Sequence, residues 1–159
     1  MEEEAGLRTY APPAQAILGA LRLTPQRLRS PTRIGIGTPL LRLLLQGFAA
    51  SLPFDPEWYL ATNPDLQQAH AAGEIPDLHR HFIGSGWLEG RRGAPPPVDE
   101  AWYLETYPDV REAVAAGHIP SATQHYLQTG AKEGRVPCRE AEPAARLWRE
   151  ALRAFPPEL

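Results

Sequence analysis

Residues 54–94 read FDPEWYLATNPDLQQAHAAGEIPDLHRHFIGSGWLEGRRGA, and residues 98–138 read VDEAWYLETYPDVREAVAAGHIPSATQHYLQTGAKEGRVPC. A constant offset of 44 residues superimposes the two stretches without a gap, so that Tyr59 matches Tyr103. Ungapped self-similarity is typical of a repeated structural unit, because a small unit needs a neighbour to cover its apolar face. The sequence therefore predicts a tandem pair of repeats.

Each repeat is predicted to contain three short helices, because prolines stand where one long helix would break. In the first copy, Asp55 is placed to begin the first helix, and the second helix is expected to end at Gly73 in a left-handed cap. Asp77 is a candidate N-cap for the third helix, and Gly86 is expected to stop it. The second copy follows the same plan 44 residues later.

The segment 1–53 is predicted to form apolar, Arg-bearing helices in front of the repeats. Its last helix begins at Pro39 and is apolar around most of its circumference, with Arg42 and Gln46 together on one narrow polar side. We expect this helix to be buried against the first repeat. The alternative is an oligomer or membrane-surface contact. Its residues would be Leu41, Leu44, Leu45 and Phe48.

The segment 139–159 is predicted to form an amphipathic helix that caps the second repeat. Its apolar side carries Leu147, Trp148, Ala151, Leu152 and Phe155. The expected fold is therefore all-α, with a helical N-terminal segment, the repeat pair 54–138 and a C-terminal capping helix.

Composition restricts the class of protein. The 159 residues carry a net charge of −3 and a single cysteine, Cys138, so neither an intrachain disulfide nor a cysteine pair for zinc can form. The start Met1-Glu2-Glu3-Glu4 is acidic where a signal peptide is basic, and the longest apolar run is too short to span a bilayer. We expect a cytoplasmic protein, with membrane association as an open alternative.

Charge is unevenly distributed. Residues 1–53 carry six arginines and three glutamates, a net of +3, whereas the rest of the chain carries a net of −6. No acidic residue occurs between Tyr10 and Phe54. Either the two halves pack on each other, or the first half meets an anionic partner. The net negative charge argues against nucleic acid as that partner.

Polar residues recur at matching positions of both repeats, and His81 with His125 is the most conspicuous pair. The other pairs are Asp55/Asp99, Asp65/Asp109, Glu89/Glu133 and Arg91/Arg135. An active site used once does not need duplication, whereas a helix cap or an ion pair inside each unit does. We therefore predict no catalytic residue, no metal ligand and no cofactor. An enzyme whose site is shared between chains stays an alternative.

Aromatic residues fall into two groups. Trp58 and Trp102 match each other, so we predict that they lie in the core. By contrast, Trp87, Tyr107 and His79 have no equivalent in the other copy. These three are the candidate contacts to a protein partner or a glycan.

The repeat resembles a known bacterial pattern. Its first copy shows Trp58-Tyr59-Leu60, Asn63-Pro64-Asp65, His81-Phe82-Ile83 and Glu89-Gly90-Arg91 in order. This order is similar to the "YYL…NPDV…HYL…G…EGR.P" repeats found in RTX-like calcium-binding and surface proteins and beside glycosyltransferase domains of polysaccharide synthesis. The resemblance covers residues 54–138, and it brings no catalytic residue with it.

These observations predict a non-catalytic scaffold or accessory subunit that binds another protein. The resemblance implies that this partner is a glycosyltransferase or another component of a bacterial polysaccharide or envelope system. Two alternatives stay open: a carbohydrate-binding module that uses exposed aromatic residues, and a protein that docks on membranes through residues 11–50. A homo-oligomer is a further alternative.

Overall fold

The structure is a computed structural model that describes residues 12–29 and 33–153. All regular structure in these two ranges is helical and no strand occurs in them, which confirms the predicted all-α class. The chain divides into two compact units, Met1–Pro95 and Pro96–Leu159. Each unit contains one of the two similar stretches.

The first unit opens with two helices that precede the repeat. Helix α1 covers Ala14–Ala20, a 3₁₀ turn covers Arg27–Arg29, and helix α2 covers Thr38–Ala50. A proline in the first turn of α2 favours this start, because its φ angle is already helical and it lacks only an N–H that would have no helical partner. None of the described helices is both long and apolar enough to cross a membrane.

The first repeat forms three helices, as the prolines predict. They are α3 at Pro56–Thr62, α4 at Pro64–Ala71 and α5 at Leu78–His81, and α5 runs directly into a π-helical turn at Phe82–Gly86. The Asp55 carboxylate accepts the backbone N–H of Trp58 at 3.0 Å and so caps α3.

The second unit repeats this order. Helices α6, α7 and α8 cover Glu100–Thr106, Pro108–Ala115 and Ala122–His125, and a π-helical turn follows at Tyr126–Gly130. Each of these elements begins and ends 44 residues after its counterpart in the first unit. A 3₁₀ turn at Arg139–Ala141 and helix α9 at Glu142–Arg153 complete the described part of this unit, and residues 154–159, with the predicted Phe155 contact, lie outside it.

Glycine occurs at two pairs of matching positions for two different structural reasons. Gly73 and Gly117 adopt φ angles of 77° and 74°, which confirms the predicted left-handed caps. Gly86 and Gly130 are the last residues of their π-helical turns, as predicted, although the residue that follows each still has helical φ and ψ angles. A Cβ atom at either position would overlap the hydroxyl oxygen of a buried tyrosine, so the glycine provides space.

Each unit has its own hydrophobic core. The first core contains Tyr59, Leu66, Leu78, Phe82 and Ile83, and the second contains Trp102, Tyr103, Val110, Ala122, Tyr126 and Val136. Trp102 confirms its predicted core position, whereas the equivalent Trp58 is only half-buried. Identical helix boundaries therefore do not give identical cores.

One backbone hydrogen bond joins the beginning of each repeat to its end. The N–H of Asp55 donates to the carbonyl of Gly93 at 2.8 Å, and the N–H of Asp99 donates to the carbonyl of Pro137 at 3.1 Å. Since the same aspartates cap α3 and α6, each repeat is closed at the residue where its first helix begins.

Helix α2 packs on the first repeat with its polar side. Gln46 is 4% exposed, and its side-chain amide donates to the carbonyl of Gly84 at 3.4 Å, while Ala49 is fully buried. The expectation of a buried helix is therefore wrong for three of its five leucines, whereas Leu40 and Leu45 are half-buried. Large exposed side chains of α2 are Leu41, Leu43, Leu44 and Phe48.

Helix α9 makes a smaller contact than the predicted cap. Ala145 and, from the preceding turn, Ala141 pack against the second core. Leu147, Trp148 and Leu152 are 65%, 55% and 72% exposed. The prediction that these large side chains cover the second repeat is wrong, because the contact with the core is made by Ala145 near the start of α9, and the larger side chains lie further along the helix.

Candidate functional site

The repeated arginine is bound by carboxylates of its own repeat. In the second unit, Arg135 donates from both terminal nitrogens to Asp109, at 2.9 and 2.7 Å, and from Nε to Glu133 at 2.7 Å. The equivalent Arg91 binds Asp65 at 3.0 and 2.8 Å in the same two-pronged geometry. These contacts confirm the predicted ion pairs inside each repeat.

The ion pairs shift the pKa values of their members. Hydrogen bonding from Arg135 lowers the pKa of Asp109 below its ordinary value, and Arg91 does the same for Asp65. The two arginine pKa values are raised, chiefly by the hydrogen bonds to those aspartates. Both aspartates stay exposed to solvent. The arginine of each repeat therefore stabilises the ionised form of its aspartate partner.

The repeated histidine contacts a buried tyrosine. The Tyr59 hydroxyl lies 3.0 Å from Nδ1 of His81, and the Tyr103 hydroxyl lies 3.0 Å from Nδ1 of His125. Burial raises the pKa of both tyrosines to about 12. The prediction of a structural partner for these histidines is confirmed, although the partner is a phenol and not a backbone group or a carboxylate.

Tyr107 occupies the position of Asn63 in the second copy and, like Asn63, contacts the arginine of its repeat. Asn63 accepts from Arg91 at 2.9 Å and donates to the carbonyl of Tyr59 at 2.8 Å. Tyr107 places its ring 4.9 Å from the guanidinium carbon of Arg135, and its hydroxyl accepts the backbone N–H of Val136 at 2.8 Å. Both residues therefore support the arginine, by a hydrogen bond in one copy and by cation–π contact in the other.

Trp87 and His79, the other two candidate contacts, also pack within the chain. The Trp87 ring lies 5.4 Å from the Phe48 ring of α2, and the His79 ring stacks on Phe54 at 4.5 Å. All three candidates are half-buried. Their role in binding a protein or a glycan stays a prediction, and the structure assigns each an intramolecular contact.

Sequence reasoning missed the role of Glu100. Its carboxylate accepts the backbone N–H groups of Ala122 and Thr123, at 3.0 and 2.9 Å, and thereby caps α8 from another helix. Burial opposes its charge, yet the hydrogen bonds from Thr123 and Ala122 bring its pKa below the ordinary value. The equivalent residue in the first copy is Pro56. The sequence signal for the role of Glu100 is therefore this difference between the two copies.

Two groups of large apolar side chains are exposed on the helices that flank the repeats. The α2 surface comprises Leu41, Leu43, Leu44 and Phe48, and the α9 surface comprises Leu147, Trp148 and Leu152. Leu45, predicted with the first group, is half-buried. Exposed clusters of large apolar side chains are typical of binding surfaces.

Positive charge also occurs in the N-terminal segment that contains α2. A concavity near the C-terminal end of α1 is lined by Arg22, Arg27 and Arg33 together with apolar residues that include Leu21 and Ile34. No carboxylate contributes to its lining. A surface of this kind is suited to a ligand that carries an anionic group next to an apolar part.

Within residues 12–29 and 33–153, no three histidine, cysteine, aspartate or glutamate side chains form a cluster that could hold a metal ion. Comparison of the chain with protein-family models, with curated proteins and with solved structures gives no match. The two exposed surfaces are therefore the basis of the proposed function.

Proposed function

We propose that the chain is a non-catalytic interaction module, an accessory subunit that binds another protein through the α9 surface. The observation that carries this proposal is the exposure of Leu147, Trp148 and Leu152 on a helix held to its unit by alanines. Each of these large apolar side chains is more than half exposed, so a partner that covered them would add the favourable free energy of burial.

The spacing on α9 fits recognition of a helix by a groove. Trp148 and Leu152 are four residues apart and so lie one above the other on the helix, and Leu147 extends the same surface. The opposite side carries Arg146 and Arg149, which would stay in solvent or at the rim of the contact. Tryptophan in particular is enriched among the residues that contribute most to binding.

The repeats support a scaffold role in this proposal. Their recurring Arg, Asp, Tyr and His side chains bind one another within each unit, at Arg135–Asp109 and Tyr103–His125 for example. Such contacts hold short helices in fixed positions and thereby present α9 on a rigid base. A preorganised surface loses less conformational entropy when it binds.

The resemblance of residues 54–138 to bacterial repeats supports the choice of partner. We place the module in a polysaccharide or cell-envelope glycosylation system, on the cytoplasmic side, with a glycosyltransferase or another envelope component as the bound protein.

The test compares partners of the full-length tagged chain in its native host. The wild type and Leu88→Gln should retain one partner that the double variant Leu147→Gln/Leu152→Gln loses. Leu88 is a matched control, because it is a 50% exposed leucine outside both surfaces. With purified partner, the double variant should raise Kd at least about 30-fold, the effect expected when one dominant contact is lost.

Three results would overturn the proposal. The purified partner could bind the double variant as tightly as the wild type. Light scattering could show a dimer that the double variant converts to a monomer, which would assign the α9 surface to a second copy of the chain. A tryptophan fluorescence change on adding oligosaccharides, with no protein partner bound, would favour a carbohydrate-binding module.

A further inference from the structure

The N-terminal segment has an unusual charge composition. Its described residues, 12–29 and 33–53, carry five arginines and no carboxylate. The arginines are Arg22, Arg27, Arg29, Arg33 and Arg42. Elsewhere in the chain acidic residues outnumber basic ones, so the composition of this segment is suited to a strongly anionic surface.

Helix α2, in the same segment, has an inverted arrangement. A surface helix normally places polar residues in solvent and apolar residues against the core. Here Gln46 is buried on the first repeat, whereas Leu43 is 52% exposed and Leu44 is 40% exposed. Leu43 and Leu44 therefore lie on the exposed side of α2.

The arginine concavity lies close in sequence to this surface. Arg22 and Arg27 line it beside Leu21 and Ile34. A guanidinium group presents several N–H donors in a planar fork that matches the oxygens of a phosphate. Ile34 itself is 44% exposed, so apolar and cationic groups occur side by side here as well.

We propose that the described part of this segment, residues 12–29 and 33–53, docks the protein on an anionic lipid surface. The leucines of α2 would enter the boundary between headgroups and acyl chains, and the arginines would bind lipid phosphates. A lipid surface fits better than a nucleic acid, because exposed leucines have no place against a phosphodiester backbone. This contact uses α2 and the concavity, and it is independent of the α9 surface.

The test measures co-sedimentation of the full chain with vesicles. Vesicles of phosphatidylcholine and phosphatidylglycerol in equal parts should bind the protein, and vesicles of phosphatidylcholine alone should bind it far more weakly. Binding should fall when the salt concentration rises from about 0.1 M to about 1 M, because the screening length shrinks from about 10 Å to about 3 Å.

Two variants separate the contributions of charge and apolar surface. Arg22→Gly with Arg27→Gln should lower the partition coefficient about 25-fold, at about fivefold for each arginine. Glycine is chosen at position 22 because Arg22 has a φ of 52°, a conformation that glycine adopts without strain. The control Arg111→Gln removes an exposed arginine from the second unit and should leave binding unchanged.

The second variant, Leu43→Gln with Leu44→Gln, should lower the partition coefficient roughly tenfold for each leucine. The control Leu88→Gln should bind vesicles like the wild type. Circular dichroism of every variant should match the wild type, since the replaced side chains are exposed.

The proposal is overturned if both vesicle types bind equally, or if the arginine and leucine variants bind as the wild type does. Tighter binding of a single-stranded oligonucleotide than of anionic vesicles would overturn it in favour of nucleic acid. The double variant Leu147→Gln/Leu152→Gln should bind vesicles normally, so a failure of this proposal and a failure of the α9 proposal give different results.

Discussion

The hydroxyl of Tyr59 lies 3.0 Å from Nδ1 of His81, and the next turn of the chain places Gly86 against that hydroxyl. The same geometry recurs at Tyr103, His125 and Gly130. The pair occupies the centre of each repeat, because the tyrosine comes from the first helix and the histidine from the third. A hydrogen bond between these helices therefore depends on the absence of a side chain at the glycine.

Replacing Gly86 by alanine should destabilise the first unit. The added Cβ would overlap the Tyr59 hydroxyl oxygen and force the tyrosine away from His81. Overpacking of this kind typically lowers the free energy of unfolding by about 1–3 kcal/mol, and urea denaturation measures it. Gly47→Ala is the control, because a Cβ there meets nothing within 4 Å and alanine favours a helix interior. An equal effect of both variants would contradict the steric explanation.

Replacing Arg135 by alanine should lower the stability of the second unit. The variant loses the contacts to Asp109 and Glu133 and the guanidinium above the Tyr107 ring. Because both carboxylates face solvent, we expect a loss of roughly 1 kcal/mol. The thermal midpoint would then fall by about 4 °C or more. Arg111→Ala, which removes an exposed arginine, should leave the midpoint unchanged.

The Asp109–Arg135 pair predicts how stability depends on pH. Hydrogen bonding from Arg135 makes the pKa of Asp109 lower in the folded than in the unfolded protein. In acid the unfolded state therefore binds more protons, and stability rises with pH. The contribution is complete above the ordinary aspartate pKa of about 4 and is lost as pH falls through the folded value. Denaturant curves between about pH 2 and about pH 6 should show a smaller pH dependence in Asp109→Asn than in the wild type.

Two buried tyrosines should ionise late on alkaline titration. Burial raises the pKa of Tyr59 and Tyr103 to about 12, above the ordinary value of 10.0. The stability that this shift reflects is complete below the ordinary value and is lost as pH rises through the folded one. Ultraviolet absorbance of the phenolate should show a late phase that shrinks in Tyr59→Phe and again in Tyr103→Phe. A single phase at the ordinary pKa would show that neither hydroxyl is buried.

The sequence alone was enough to predict the helices of the repeats. Asp55 caps α3 through the N–H of a residue three positions later, and Gly73 ends its helix with a left-handed angle. Both effects act within one helical turn, so a local pattern carries them. The pairing of Arg135 with Asp109 was also predictable, because a charge pair kept in both copies indicates a role inside the repeat.

Only the tertiary structure decided which residues of each flanking helix are buried. The composition of α2 predicts that its leucines pack inward, yet Gln46 donates to a backbone carbonyl on the first repeat, and Leu41, Leu43 and Leu44 remain exposed. In α9 the small Ala145 approaches the core more closely than Leu147 or Leu152. Hydrophobic periodicity describes a helix by itself, whereas burial depends on the shape and the hydrogen-bonding groups of the surface that it meets. The two surfaces proposed for binding exist because of that difference.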